Sequence, residues 1–184
     1  FLYQQNTLRD ALIAGITLNI FNQHADRVKM ANIAQTANVL QSMVLTDGAD
    51  MILTPSYHVF EMYKVHQDAE LLEFDLKSES YKYKDEEIPA LNASASINND
   101  DEVNITICNL NADKDIELNT NLFADKLELN DVKARVLTAD KLNAHNSFDN
   151  PENIKPEELE VVELNNNKLN ITLPAASVTL VTLS

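Results

Sequence analysis

The chain predicts a mainly β protein, an antiparallel sandwich or barrel preceded by a short α/β segment. Two observations carry this. Short runs of apolar residues alternate with polar ones at period two through the later part of the chain, as in Val103, Ile105 and Ile107 against Asn104, Thr106 and Cys108. The opening part instead has helical spacing, and both glycines, Gly15 and Gly48, lie in it. Most of the negative charge falls after Asp68, which sets a boundary between residues 1–68 and residues 69–184.

In the first part, Thr7 and Asp10 have capping-box spacing, with an aspartate where glutamate is usual. Leu8, Ala11, Leu12, Gly15, Ile16 and Asn19 follow at helical intervals. Ile13, Leu18, Ile20 and Phe21 widen the apolar face, so the helix is expected to be buried on more than one side. Val28–Ala34 reads as a short buried strand, because parallel strands covered on both faces are nearly continuous apolar runs. Thr46-Asp47-Gly48 reads as a turn. Thr54-Pro55 opens a second helix with proline at its favoured first position, and Tyr57, Phe60, Met62 and Tyr63 supply the packing surface.

In the second part, the same period-two signal marks strands at Ile116–Leu118, Val132–Val136, Leu169–Leu173 and Val178–Leu183. No glycine follows Gly48, so the turns need another residue able to enter the left-handed region. Asparagine and aspartate do this better than other residues with a side chain. They cluster where the alternation stops, at residues 98–101, 109–113, 130–131 and 165–167. Asn143–Glu158 has two prolines and little periodicity and reads as a long loop.

A net charge of −15 sets the chain against nucleic acid and anionic membrane as partners and leaves a neutral sugar polymer unaffected. The apolar stretch Leu8–Phe21 is too short to cross a bilayer. A single cysteine, Cys108, forms no internal disulfide, which favours an intracellular or otherwise disulfide-independent fold. The chain opens on Phe1 and its first methionine is Met30, so the expectation is a fragment or processed product.

Three phrases, NTLRDALIAG, HADRVKMANIAQTANVLQ and LTPSYHVFEMYKVHQDA, span about a third of the chain in this order. Together they resemble the end of the catalytic domain of the family 51 glycoside hydrolases, the α-L-arabinofuranosidases. The resemblance implies that residues 1–68 are the last strand and helices of a TIM barrel. Residues 69–184 would be the family's jelly-roll-like sandwich. It further implies retaining hydrolysis of terminal α-L-arabinofuranosyl groups in arabinan, arabinoxylan and their oligosaccharides, without metal or organic cofactor. Retaining chemistry needs two carboxyl groups about 5 Å apart. In the family both glutamates precede the opening motif, so no catalytic residue is assigned in this chain. The glutamine of ANIAQ corresponds to Gln35, which the family uses to hydrogen-bond the arabinose. An amide both donates to and accepts from sugar hydroxyls.

Other residues weigh towards structure. His24 and Asp26 have no third ligand at metal-site spacing, and a histidine there suits a helix C-terminus. Asn32 would face away from residue 35 on a strand. His58 and His66 stand about two helical turns apart, too far to share a metal. Tyr57, Phe60 and Tyr63 have the spacing of packing residues rather than a sugar platform. Asp85-Glu86-Glu87 and Glu157-Glu158 sit on polar segments with nothing to raise a carboxyl pKa. Asn92, Asn104 and Asn170 head glycosylation-type triplets that recur by chance in an asparagine-rich chain. Cys108 has no basic neighbour to activate it.

The reading is therefore the C-terminal portion of an α-L-arabinofuranosidase, inactive alone. It is intracellular (cytoplasmic, with periplasm as the alternative) and associates as a homo-oligomer through its uncovered apolar helical face. A carbohydrate-binding sandwich is the rival reading. Against it, the second part has few aromatics: Phe74, Tyr81, Tyr83, Phe123 and Phe148.

Overall fold

A computed structural model describes residues 4–34, 36–123, 129–160, 162–165 and 167–184. Helix α1 (Leu8–Gln23) begins as its capping pair predicts. The Asp10 carboxylate accepts from the Thr7 backbone N–H at 2.8 Å and from the Thr7 hydroxyl at 2.7 Å. Helix α2 (Pro55–Met62) has Thr54 as its N-cap and proline in its first turn, and runs into a 3-10 turn at Tyr63–His66. Asn6 ties the two helix starts together, donating to Ser56 Oγ at 2.8 Å and accepting from Ser56 N–H at 3.1 Å.

Between the helices lies a hairpin of β1 (Val44–Asp47) and β2 (Asp50–Leu53), turning at Gly48 with φ +58. The turn was legible in the sequence; its two strands were not. The remaining strands in chain order are β3 (Glu70–Leu71), β4 (Ser80–Tyr83), β5 (Glu86–Pro89), β6 (Leu91–Ile97) and β7 (Val103–Asn109). They continue with β8 (Ile116–Asn121), β9 (Val132–Leu137), β10 (Glu157–Glu158), β11 (Val162–Asn165), β12 (Lys168–Leu173) and β13 (Ser177–Leu183).

Two antiparallel sheets form the sandwich. One has six strands in the order β10-β9-β13-β7-β6-β3, the other three in the order β11-β12-β8. Strands β4 and β5 pair as a separate exposed hairpin. Between the sheets the core holds Val103, Ile107, Leu169, Ile171, Val181 and Leu183. The alternation assigned from the sequence places these residues inward, as expected.

The opposite face of the six-stranded sheet is also buried. Cys108, Val178, Leu180 and Leu137 pack there against Leu8, Ala11 and Leu12 of α1 and Val59 and Met62 of α2. The central strands are thus covered on both sides, with the helices forming a third layer. The polar residues alternating with the core of β7 do not face water. Asn104 and Thr106 are buried beneath the helical layer.

Two expectations from the sequence are corrected. Val28–Ala34 forms no strand and is largely exposed. A strand needs a neighbour for its backbone hydrogen bonds, and no described strand lies beside this stretch. Helix α1 is buried along one stripe, Leu8, Ala11, Leu12, Gly15 and Asn19, rather than on several sides. Its other apolar flank is open, with Ile13 55% and Ile20 43% exposed.

Two of the four asparagine- and aspartate-rich turns use the left-handed region as expected. Asp101 and Asn167 both take φ +60. Asn109 Oδ1 accepts from Asn111 N–H and Asn111 Oδ1 from Asp113 N–H, each at 3.0 Å, so these side chains complete their own turn. Of the loop expected at Asn143–Glu158, Asn143 to Lys155 is a loop anchored by Asn146 and buried Ile154, while Glu157–Glu158 instead pairs with β9 as β10. The Ala144 carbonyl of this loop receives Leu8 N–H, one of the free donors at the start of α1.

Gly15 sits where α1 presses closest to the sheet. A Cβ there would lie 2.7 Å from Cys108 Sγ and 3.3 Å from both the Tyr63 hydroxyl and Val178 Cγ2. Alanine normally stabilises a helix interior by about 1 kcal/mol over glycine. Here overpacking of about 1–3 kcal/mol opposes that gain. Gly15→Ala should therefore lower the urea midpoint, and Gly15→Ala combined with Cys108→Ala should recover most of the loss. A midpoint raised by the single change would contradict this close packing.

Candidate functional site

Two places concentrate polar side chains. The first is a groove of about 580 Å³ between α1, residues 31–34 and α2. Ile13, Leu18 and Phe60 give it an apolar floor, and Asp10, Asn32 and Gln41 are among the polar groups that line it. Asp10 is 5% exposed, and burial by itself would raise its pKa. Hydrogen bonds from Gln41, the Thr7 hydroxyl and the Thr7 N–H, with the nearby Arg9 charge, outweigh burial and hold the carboxyl below its usual value. Gln41 Nε2 donates to Asp10 Oδ1 at 2.9 Å, joining the helix start to the turn before β1.

That turn is held at several points. The Thr36 carbonyl accepts from Met43 and Val44 N–H, each at 3.0 Å. Asn38 accepts from Thr46 N–H at 2.7 Å and donates to Thr46 Oγ1 at 2.8 Å. Both Asn38 (φ 59) and Gln41 (φ 60) adopt the left-handed region, which glutamine rarely enters.

The second place is the buried seam between α1 and the six-stranded sheet. Asn19 is its hub. Its Oδ1 accepts from Tyr63 OH at 2.9 Å, Ser94 Oγ at 2.9 Å and Thr106 Oγ1 at 2.8 Å. Its Nδ2 donates to Asn92 Oδ1 at 2.9 Å. Asn22 and Gln23 extend the seam to Ser94 Oγ and the Ala93 carbonyl. His66 lies beside it, with Nδ1 2.7 Å from Ser96 Oγ and Nε2 3.0 Å from Thr106 Oγ1. Burial lowers its pKa to about 4. The seam is built to hold layers together; its central groups, Asn19, Tyr63, Ser94 and Thr106, are neutral and buried. Burial pushes Cys108 up to about 12, so no thiolate nucleophile forms, and burial likewise drives Tyr63 well above its usual value.

The sequence-selected residues fall as follows. Gln35 lies outside the described residues; on either side of it in sequence, Ala34 lines the groove and Thr36 belongs to the fastened turn. His24 is the C-cap residue of α1, as the structural reading expects. Asn32 lines the groove on an exposed, unpaired segment, so the strand argument used to face it away does not apply. His58 is half-buried and stacks edge-on against Tyr57, while His66 is part of the seam, so the two serve different surroundings. Tyr63 is a packing residue with a satisfied hydroxyl. Glu87 pairs with Lys82 at 3.1 Å on an exposed hairpin. Hydrogen bonds from Ser80 and Lys82 lower its pKa, the reverse of what a catalytic acid requires. Among the described residues no group of three or more His, Cys, Asp or Glu is placed to hold a metal. No described helix is long and apolar enough to cross a membrane.

Sequence reasoning missed the Asp10–Gln41 clasp and the His66 contacts, because both join residues far apart in the chain. Asn19 did leave a signal: it is an amide standing on the apolar stripe of a helix, where an unpaired polar group is costly.

Comparison with known proteins agrees with the fold and with the resemblance. Residues 1–177 match the family described as the alpha-L-arabinofuranosidase C-terminal domain. The chain is 46% identical over 178 residues to an intracellular exo-alpha-L-arabinofuranosidase of Bacteroides ovatus, covering 96% of this chain and 34% of that protein. It is 31% identical over 107 residues to intracellular exo-alpha-(1->5)-L-arabinofuranosidase 1 of Bacillus subtilis, covering 58% of this chain and 21% of that one. The crystal structure of the GH51 arabinofuranosidase from Xanthomonas axonopodis pv. citri superposes with a TM-score of 0.95 at 41% identity, over all of this chain and 37% of that one. The chain therefore spans about a third or less of the length of the curated relatives it matches. On a family match over residues 1–177, the chain belongs to the family of α-L-arabinofuranosidase C-terminal domains.

Proposed function

We propose that this chain serves as the C-terminal portion of a retaining α-L-arabinofuranosidase that removes terminal α-L-arabinofuranosyl groups from arabinan, arabinoxylan and their oligosaccharides. The observation that carries the reading is the family match, with 46% identity to a protein named as an exo-alpha-L-arabinofuranosidase. Residues 1–68 would close a (β/α)8 barrel, and residues 69–184 would be the sandwich bracing it. The open flank of α1 supports this: the described residues leave Ile13 and Ile20 uncovered. The unpaired Val28–Ala34 stretch would gain its ladder from the barrel strands beside it. The catalytic glutamates would lie in polypeptide outside these 184 residues, and the reaction would need no cofactor.

In this reading Gln35 holds the arabinofuranosyl group through its amide. The protein would work inside the cell, as the names of the Bacteroides and Bacillus relatives say of those proteins. Its net charge of −15 suits a neutral glycan and sets it against nucleic acid and anionic membrane. It would assemble as a homo-oligomer. A second reading, a sugar-binding sandwich, draws on Phe74 and Phe123, which line one cleft between the sheets and are 44% and 96% exposed.

The test is Gln35→Ala in the longer polypeptide, assayed on an aryl α-L-arabinofuranoside. Loss of the amide's hydrogen bonds to the sugar should lower kcat/KM by about tenfold or more. An unchanged kcat/KM would remove Gln35 from the site.

A further inference from the structure

The Asp10–Gln41 contact goes beyond what capping requires. Thr7 already satisfies the helix start, giving the buried carboxylate two hydrogen bonds through Oδ2. Oδ1 is directed to Gln41, 31 positions away in the chain. Gln41 reaches it from a left-handed backbone conformation that its own side chain disfavours. The surrounding bonds hold that conformation: Ser42 N–H donates to the Val39 carbonyl at 2.9 Å, and Thr36 and Asn38 are fastened to β1. Asp10 and Gln41 line the same groove as Ala31, Asn32, Ile33 and Ala34. The clasp therefore links the rigid start of α1 to the far side of the turn that follows the groove wall.

We propose that Gln41 is a positioning residue for substrate: held by Asp10, it fixes the Thr36–Ser42 turn, and through it the Ala34 end of the groove wall, the end at which the arabinofuranosyl group would be held. The inference rests on the arabinofuranosidase reading above. Gln41 touches no sugar in this account. It acts by limiting where the wall can sit, so its loss weakens ground-state and transition-state binding alike and appears mainly in KM.

The experiment measures kcat, KM and thermal midpoint for the longer polypeptide and two variants on an aryl α-L-arabinofuranoside. Gln41→Ala removes the clasp and keeps the backbone preference of an ordinary residue. Gln41→Gly removes the clasp while relieving the left-handed strain. Both should raise KM by about tenfold with kcat within about twofold. The glycine variant should melt no lower than the alanine variant. A KM unchanged in both, or a fall in kcat that merely tracks the unfolded fraction, would overturn the positioning role. If the unaltered polypeptide itself fails to turn over the arabinofuranoside, the enzymatic reading has failed first, a result distinct from an active enzyme indifferent to residue 41.

Discussion

Asn19→Ala is expected to cost about 4 kcal/mol of unfolding free energy and to lower the thermal midpoint by about 10 °C. The side chain is fully buried and joins α1 to β6, β7 and the Tyr63 hydroxyl at once. Truncation leaves those groups enclosed without their shared acceptor, and each unsatisfied buried group costs about 1–3 kcal/mol. Re-pairing limits the sum. Ser94 and Thr106 hydroxyls are already 2.9 Å apart, and Tyr63 OH also reaches the Gly15 carbonyl at 3.1 Å. Alanine's better helix propensity offsets well under 1 kcal/mol. The control is Thr17→Ala on the same helix, whose hydroxyl bonds back to the Ile13 carbonyl at an exposed position. It should change stability by no more than about 0.5 kcal/mol. If urea titration gives the two variants equal stability, Asn19 is not the hub of the seam.

The second large effect is a loss of stability in mild acid. His66 is protonated at about pH 4 in the folded protein and near 6.5 when unfolded. Between those values the unfolded chain binds more protons, so stability falls as pH falls. The contribution is fully present above pH 6.5 and lost as pH falls towards 4. At about 1.4 kcal/mol per pH unit it amounts to about 3 kcal/mol. Among the described residues no carboxylate is found to compensate: the ring's partners are the Ser96 and Thr106 hydroxyls, with the Tyr63 ring 5.7 Å away. His58 also titrates low, chiefly through burial, and adds to the same limb. Asp10, held below its usual value, acts at more acid pH. His66→Gln keeps a polar group between the two hydroxyls and removes the proton. Its stability should be flatter than that of the unaltered chain from pH 7 to pH 4.5. Parallel curves would place the acid sensitivity elsewhere.

The strands of the sandwich core were legible because β7, β12 and β13 carry large apolar residues at period two. Strand β6 was not. Its sequence, LNASASI, looks like turn material, yet it is among the most buried strands in the molecule. Its residues are small because α1 and the 3-10 turn press on one face while the sandwich core closes the other, and packing overrides propensity. The polar side of β7 was misleading for the related reason that Asn104 and Thr106 are buried, and Thr106 serves the seam through Asn19. Val28–Ala34 has the composition of a buried strand, but pairing is a property of neighbours, and none of the described strands pairs with it. Left-handed turns were readable at Asp101 and Asn167, which lie in asparagine and aspartate clusters, and not at Asn38 or Asp68, which do not. Nor were they readable at Gln41, because only the distant Asp10 explains that choice.

The central claim is that these 184 residues complete an active site whose reacting carboxyls belong to further polypeptide. Initial rates of aryl α-L-arabinofuranoside hydrolysis, measured side by side on the purified 184-residue chain and on the longer polypeptide, test it most directly. The account predicts no turnover above the buffer rate by the chain and ready turnover by the longer protein. Sustained hydrolysis by the isolated chain, abolished by changing one of its own carboxylates, would contradict it.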